Sequence, residues 1–161
     1  MQAGYYARLF CMKKEHLKTD GSISAIYQYK ELMKLERPLI GSSIPAGFPS
    51  PAQDYIEGVL DLNTHLIRHP SATFFMQADG YSMQNAGIFP GDLLIVDRAL
   101  EATNNKIVVA ILDGELTLKR LKIEAGKYYL VPENDDFNPI PITEDIDFAI
   151  WGVVTYVIHA L

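Results

Sequence analysis

From Thr73 onward the chain reads as short runs of β-branched and aromatic residues separated by turn signals. The runs are Thr73–Ala78, Asp92–Asp97, Lys106–Leu112, Glu115–Ile123, Lys127–Val131 and Phe148–Ile158. Pro90-Gly91, Asp113-Gly114 and Ala125-Gly126 punctuate them, as tight reversals between strands require. Six strands over so short a stretch predict a mainly β, mostly antiparallel domain. Ahead of it, Leu62–Arg68 has room for a short helix, capped by Asp61 and ended before Pro70. A second helix is predicted over Ala25–Glu36, capped by Ser22 or Ser24 and stopped at Pro38. Its Ile26, Tyr29, Leu32, Met33 and Leu35 partly follow helical spacing. Between the two, Gly41–Tyr55 concentrates Gly, Ser and three prolines. Proline fixes φ, removes N–H donors and drives the preceding residue out of the helical region, so this stretch predicts an extended linker. No internal repeat or low-complexity tract interrupts the pattern.

Charge refines the division. The 161 residues carry a net −6, yet residues 1–46 hold seven basic and four acidic groups. A basic arm on an acidic body folds back on it, touches an acidic partner, or is ordinary solvated charge. The overall balance argues against direct DNA binding by the whole chain. With 48% hydrophobic residues there is material for a core, and global disorder is excluded. One cysteine, Cys11, allows neither an internal disulfide nor a thiolate zinc site. No apolar run reaches the ~20 residues of a membrane span, and the N-terminus lacks the features of a secretory signal. A cytoplasmic location without membrane contact is the expectation.

Candidate chemistry is sparse. His65 and His69 stand four apart, but no HExxH motif or third ligand accompanies them, and no metal is expected. His16 and His159 are poorly placed for a histidine triad. The pairs Asp135-Asp136 and Glu144-Asp145 sit in polar, turn-like surroundings. No GxxxxGK[ST] or GxGxxG phosphate cradle occurs, so no cofactor is expected. Three features remain. Gly80-Tyr81-Ser82-Met83 follows an apolar strand, where glycine permits a reversal and a serine is displayed beside backbone N–H groups; taken alone, an ordinary turn serine explains it. Lys119 shares strand parity with Leu121 and Ile123, opposite Leu116 and Leu118. Burial on that face would disfavour an ammonium, as a lysine general base requires; a Lys119 pointing outward with Thr117 and Glu115 fits the pattern equally. Serine with lysine is a known alternative to the histidine triad. Finally, Ile44-Pro45-Ala46-Gly47-Phe48 offers a small-residue bond, Ala46–Gly47, in an extended segment that a narrow cleft accepts. An enzyme carrying its substrate on its own arm replaces affinity by effective concentration.

These residues resemble the LexA/UmuD family of self-cleaving serine peptidases, over Ile44 to Leu161. The ordered markers are Ala46-Gly47-Phe48-Pro49-Ser50-Pro51-Ala52, His69-Pro70-Ser71-Ala72-Thr73, Gly80-Tyr81-Ser82-Met83 and Gly91-Asp92-Leu93-Leu94-Ile95-Val96-Asp97. Asp113-Gly114-Glu115-Leu116-Thr117-Leu118-Lys119 and Gly152-Val153-Val154 complete them. Together the set is specific; singly each is weak. The resemblance implies a LexA/UmuD-type catalytic β domain at 47–161, preceded by an N-terminal arm, residues 1–46, that carries the short helix and is removed by self-cleavage. It implies Ser82 as nucleophile, Lys119 as general base, the backbone N–H groups of Tyr81 and Ser82 as oxyanion hole, and Ala46–Gly47 as the scissile bond.

It further implies a role in the SOS DNA-damage response. Cleavage stimulated by a RecA filament on single-stranded DNA would yield a homodimer that joins a UmuC-type polymerase in error-prone translesion synthesis. The alternative is a LexA-like transcriptional repressor inactivated by self-cleavage, although an arm with one predicted helix is too short for a complete helix-turn-helix domain. A third reading is a β-rich binding module whose serine and lysine are structural. The apolar residues of Trp151–Ile158 are expected either in a dimer contact or in a fully buried strand.

Overall fold

Period-two alternation governs the fold, and the strands pair antiparallel throughout the main sheet. The computed structural model describes residues 18–28, 36–40 and 56–161. Ten strands run in chain order as β1 (Ile23–Gln28), β2 (Glu36–Ile40), β3 (Ile56–Asp61), β4 (Thr73–Ala78), β5 (Leu93–Asp97), β6 (Ile107–Leu112), β7 (Glu115–Glu124), β8 (Lys127–Val131), β9 (Ile140–Pro141) and β10 (Phe148–Ile158). One helix, α1 (Leu62–Leu66), follows β3. Eight strands form a sheet in the order β1-β4-β5-β10-β6-β7-β8-β9, and β2 pairs with β3 in a separate two-stranded sheet. The chain forms two units: β1 with residues 69–161, and β2, β3 and α1 within residues 30–68.

In the main unit the alternation of side chains splits the core in two. Along β6, Val109 faces a cluster with Met76, Met83, Leu94, Leu116 and Leu118, while its neighbours Val108 and Ala110 face a second cluster with Leu121, Leu130 and Val153. β10 lies between β5 and β6 in the sheet. Trp151–Ile158 is therefore an interior strand, although Val157 and Ile158 at its end are exposed. Gly152 is required there: a Cβ on it would lie 2.7 Å from Val96 Cγ1.

All six predicted strands from Thr73 onward match within a residue at each end; Asp92–Asp97 starts at Leu93, Lys106–Leu112 starts at Ile107, and Glu115–Ile123 runs on to Glu124. Asp61 caps α1 as expected, its side chain accepting from the Asn63 N–H at 3.1 Å. The arm is different. Ala25–Gln28 was expected to open a helix, but it lies in β1, paired antiparallel with β4 from Ile23 opposite Ala78 to Gln28 opposite Phe74. Glu36, expected to end that helix, begins β2. The free edge of β4 offers an unpaired row of backbone groups, and satisfying them outweighs a helical preference carried by a few spaced apolar residues. Ile26 packs against the first core cluster from a strand, so the helical stripe through Ile26 does not form. Tyr29, Leu32, Met33, the linker Gly41–Tyr55 and Ala46–Gly47 lie outside the described residues.

Candidate active site

Ser82 owes its position to the end of β4. Gly80 adopts φ +67°, and a Cβ there would meet the Gly21 carbonyl oxygen at 3.2 Å, so both the turn and the passing backbone require glycine. Asp79 Oδ1 accepts the Gly80 N–H at 2.9 Å. After the turn, Met83 is buried in the first core cluster and pins the serine loop from below. Two residues from the segment after β8 hold the loop from the side. The Glu133 N–H donates to the Ser82 carbonyl at 2.8 Å, and Asn134 Nδ2 donates to the Tyr81 carbonyl at 2.9 Å. With both carbonyls engaged, the peptide planes are fixed. The Tyr81 side chain is exposed, so residue 81 contributes its backbone here.

Lys119 comes from β7, whose residues Leu116 to Lys119 are all buried. Leu116 and Leu118 enter the first core cluster, while Thr117 and Lys119 take the opposite parity and face a buried polar pocket. The buried reading therefore holds and the outward one fails: Lys119 shares a parity with Thr117 and Leu121, and all three are buried, while Glu115 alone at the start of the strand is exposed on that face. Lys119 is 5% exposed and Ser82 7%. The Lys119 Nζ lies 3.3 Å from Ser82 Oγ, and it also donates to Thr117 Oγ1 at 2.9 Å, to the Leu118 carbonyl at 3.1 Å and to Asp20 Oδ2 at 3.0 Å.

Residues 38–155 match the Peptidase S24-like family. The chain belongs to the Peptidase S24-like family. Its members are serine peptidases, and the LexA/UmuD resemblance drawn from the sequence falls within it. Protein ImpA of Salmonella typhimurium is 49% identical over 125 residues, covering 76% of this chain and 83% of that protein. Protein MucA of Escherichia coli is 45% identical over 120 residues, covering 74% and 82%. The LexA repressor of Bordetella parapertussis is 39% identical over 136 residues, covering 84% of this chain and 62% of the repressor.

For an S24-like peptidase, a buried lysine in contact with a serine hydroxyl has the geometry of a nucleophile and its base. The structure brings Ser82, Lys119 and the Tyr81 backbone together; the Ala46–Gly47 bond lies outside the described residues. Two of the described histidines are engaged elsewhere: His69 Nδ1 contacts Asp97 Oδ2 at 2.6 Å and His159 Nδ1 contacts Asp92 Oδ1 at 2.6 Å. Asp135, Asp136, Glu144 and Asp145 are exposed. No helix among the described residues is long and apolar enough to cross a membrane.

Sequence reasoning missed Asp20, Ser22, Thr117 and Asn134. Thr117 was legible as a neighbour at the lysine's parity, two residues away. Asn134 carried no local signal, and Asp20 lies outside the family match, 99 residues from the lysine it touches. Burial of the Asp20 carboxyl would by itself raise its pKa. Hydrogen bonds from Ser22 and Thr117, together with the Lys119 ammonium, outweigh that and hold it below the ordinary aspartate value.

Proposed function

We propose that the chain is a self-cleaving serine peptidase in which Ser82 Oγ attacks the Ala46 carbonyl carbon while neutral Lys119 takes the hydroxyl proton. The 3.3 Å contact between Nζ and Oγ in a buried pocket carries this reading. The new C–O bond leaves a tetrahedral oxyanion for the Tyr81 and Ser82 backbone N–H groups. As the C–N bond breaks, the Lys119 ammonium returns its proton to the Gly47 amine, and water then releases the acyl group with Lys119 again as base. The products are residues 1–46 and a body of residues 47–161.

In this reading the body is a homodimeric regulatory subunit of an error-prone translesion polymerase. It acts in the cytoplasm during the SOS response, with a UmuC-type polymerase as partner and a RecA filament on single-stranded DNA as the stimulus. The likeness to ImpA and MucA over most of their lengths supports it. A repressor function inactivated by the same cleavage is the second reading, favoured by the LexA repressor match.

Incubating purified protein at mildly alkaline pH tests the chemistry. Fragments whose junction, by mass spectrometry, lies at Gly47 are expected, and Ser82→Ala and Gly47→Glu should stay full length; cleavage by Ser82→Ala refutes the nucleophile. Salt-sensitive, sequence-selective DNA binding by the intact chain would favour the repressor reading.

A further inference from the structure

The Lys119 ammonium has a partner that the proposed chemistry does not use. Asp20 arrives on the segment leading into β1, which is fastened to the body on both sides. Thr19 forms a parallel bridge with Leu116, the Asp20 N–H donates to the Leu116 carbonyl at 3.1 Å, and the Leu116 N–H donates to the Lys18 carbonyl at 2.9 Å. Two residues later the Ser22 hydroxyl accepts the Leu118 N–H at 2.9 Å, and the Ser22 carbonyl accepts the Asp79 N–H at 2.8 Å. The segment thus stitches the edge of β7 to the loop that carries Ser82. Its one acidic side chain points at the dyad. Asp20 Oδ2 accepts from both Lys119 Nζ and Thr117 Oγ1, while Oδ1 accepts from the Ser22 N–H and hydroxyl.

We propose that Asp20 is a built-in latch: its carboxylate holds Lys119 as an ammonium against Ser82, and the serine is activated only once that charged contact is lost. The chemistry is direct. An amine can take the Ser82 proton only when it carries a free lone pair, and a carboxylate 3.0 Å from Nζ favours the charged form over the neutral one. Lys119 is 5% exposed, so water screens the pair poorly at that end. Asp20 is the only carboxylate among the described residues bonded to Nζ. From the other elements Ser82 and Thr117 present hydroxyls and Leu118 a carbonyl, and the Glu133 carboxylate is engaged by Arg120. The Asp20 segment lies outside the family match, which spans residues 38–155. This inference deepens the proposed self-cleavage and rests on it for its consequence: cutting after Ala46 would separate the latch from the body.

The test uses the full chain with Asp20→Asn, an isosteric change that keeps an acceptor and removes the charge. Self-cleavage is followed from pH 6 to 10, and the Lys119 Cε resonance is titrated in a Ser82→Ala background, where no cleavage interferes. The rising limb of the rate profile is expected about 1 unit or more lower in pH than for the parent, with roughly tenfold faster cleavage near neutral pH. The Cε titration should move the same way. Asp20→Ser provides a second variant should the asparagine fail to fold, and shifts in the same direction are expected. An unchanged Cε titration overturns the latch whether or not the chain cleaves. Cleavage by Ser82→Ala overturns the dyad instead and leaves the Cε result to decide the latch.

Discussion

Replacing Lys119 by methionine separates what the lysine does for chemistry from what it does for stability. Methionine fills nearly the same volume and removes the charge. The parent ammonium is almost fully buried and donates to Asp20, Thr117, Leu118 and Ser82. Losing a charge-assisted hydrogen bond costs about 1.5–3 kcal/mol. Two effects oppose that loss. The desolvation of a buried ammonium, which costs several kcal/mol in the parent, disappears. The orphaned Asp20 side chain is 34% exposed, so it regains water instead of remaining a buried uncompensated charge, and Thr117 Oγ1 still donates to it. The net expectation is a loss of about 0–2 kcal/mol, or ~0–8 °C in Tm for a chain of this size. Cleavage, by contrast, should fall by at least the 10²–10⁴-fold typical of a lost general base. Urea unfolding followed by circular dichroism measures the first quantity, and time courses of fragment formation at pH 10 the second. Fragment formation within tenfold of the parent rate would refute Lys119 as base. A folded-state loss above about 4 kcal/mol would refute the argument that Asp20 rehydrates.

Leu118→Ala removes a side chain that is 1% exposed in the first core cluster and should cost about 2–5 kcal/mol in urea unfolding. Gly152→Ala places a Cβ 2.7 Å from Val96 Cγ1 and should destabilise by about 1–3 kcal/mol, read as a lowered Tm. The Asp20 carboxyl titrates below its ordinary value in the folded chain, so its contribution to stability is complete above the unfolded pKa and is lost as pH falls through the folded one. The stability difference between the parent and Asp20→Asn should therefore be constant near neutrality and shrink below about pH 4 in urea titrations. Asn134→Ala leaves the Tyr81 carbonyl with only the longer bond from the Gln84 N–H and loosens the serine loop; slower cleavage with an unshifted pH profile is expected, since the lysine's own contacts are untouched.

The sequence by itself determined the strands from Thr73 onward, because each is a local alternation of apolar side chains closed by a turn whose residues have their own backbone preferences. Asp61 capping α1 is local for the same reason. It also offered Ser82 and Lys119 as candidates, although their roles as nucleophile and base came from the resemblance to the LexA/UmuD family and not from the local pattern. What it left open about Lys119 was its surroundings: parity ranks faces along β7 but does not say that both faces are covered, which depends on strands and loops brought in from elsewhere. The conformation of Ala25–Gln28 was decided by the tertiary structure, where the waiting edge of β4 turned a helical spacing into a strand. Asp20 shows the same dependence most plainly. Nothing near it in sequence marks it as a partner for a lysine 99 residues away. The sheet curls so that the lead-in to its first strand bridges to β7, and that closure sets an acidic side chain of the arm against the dyad.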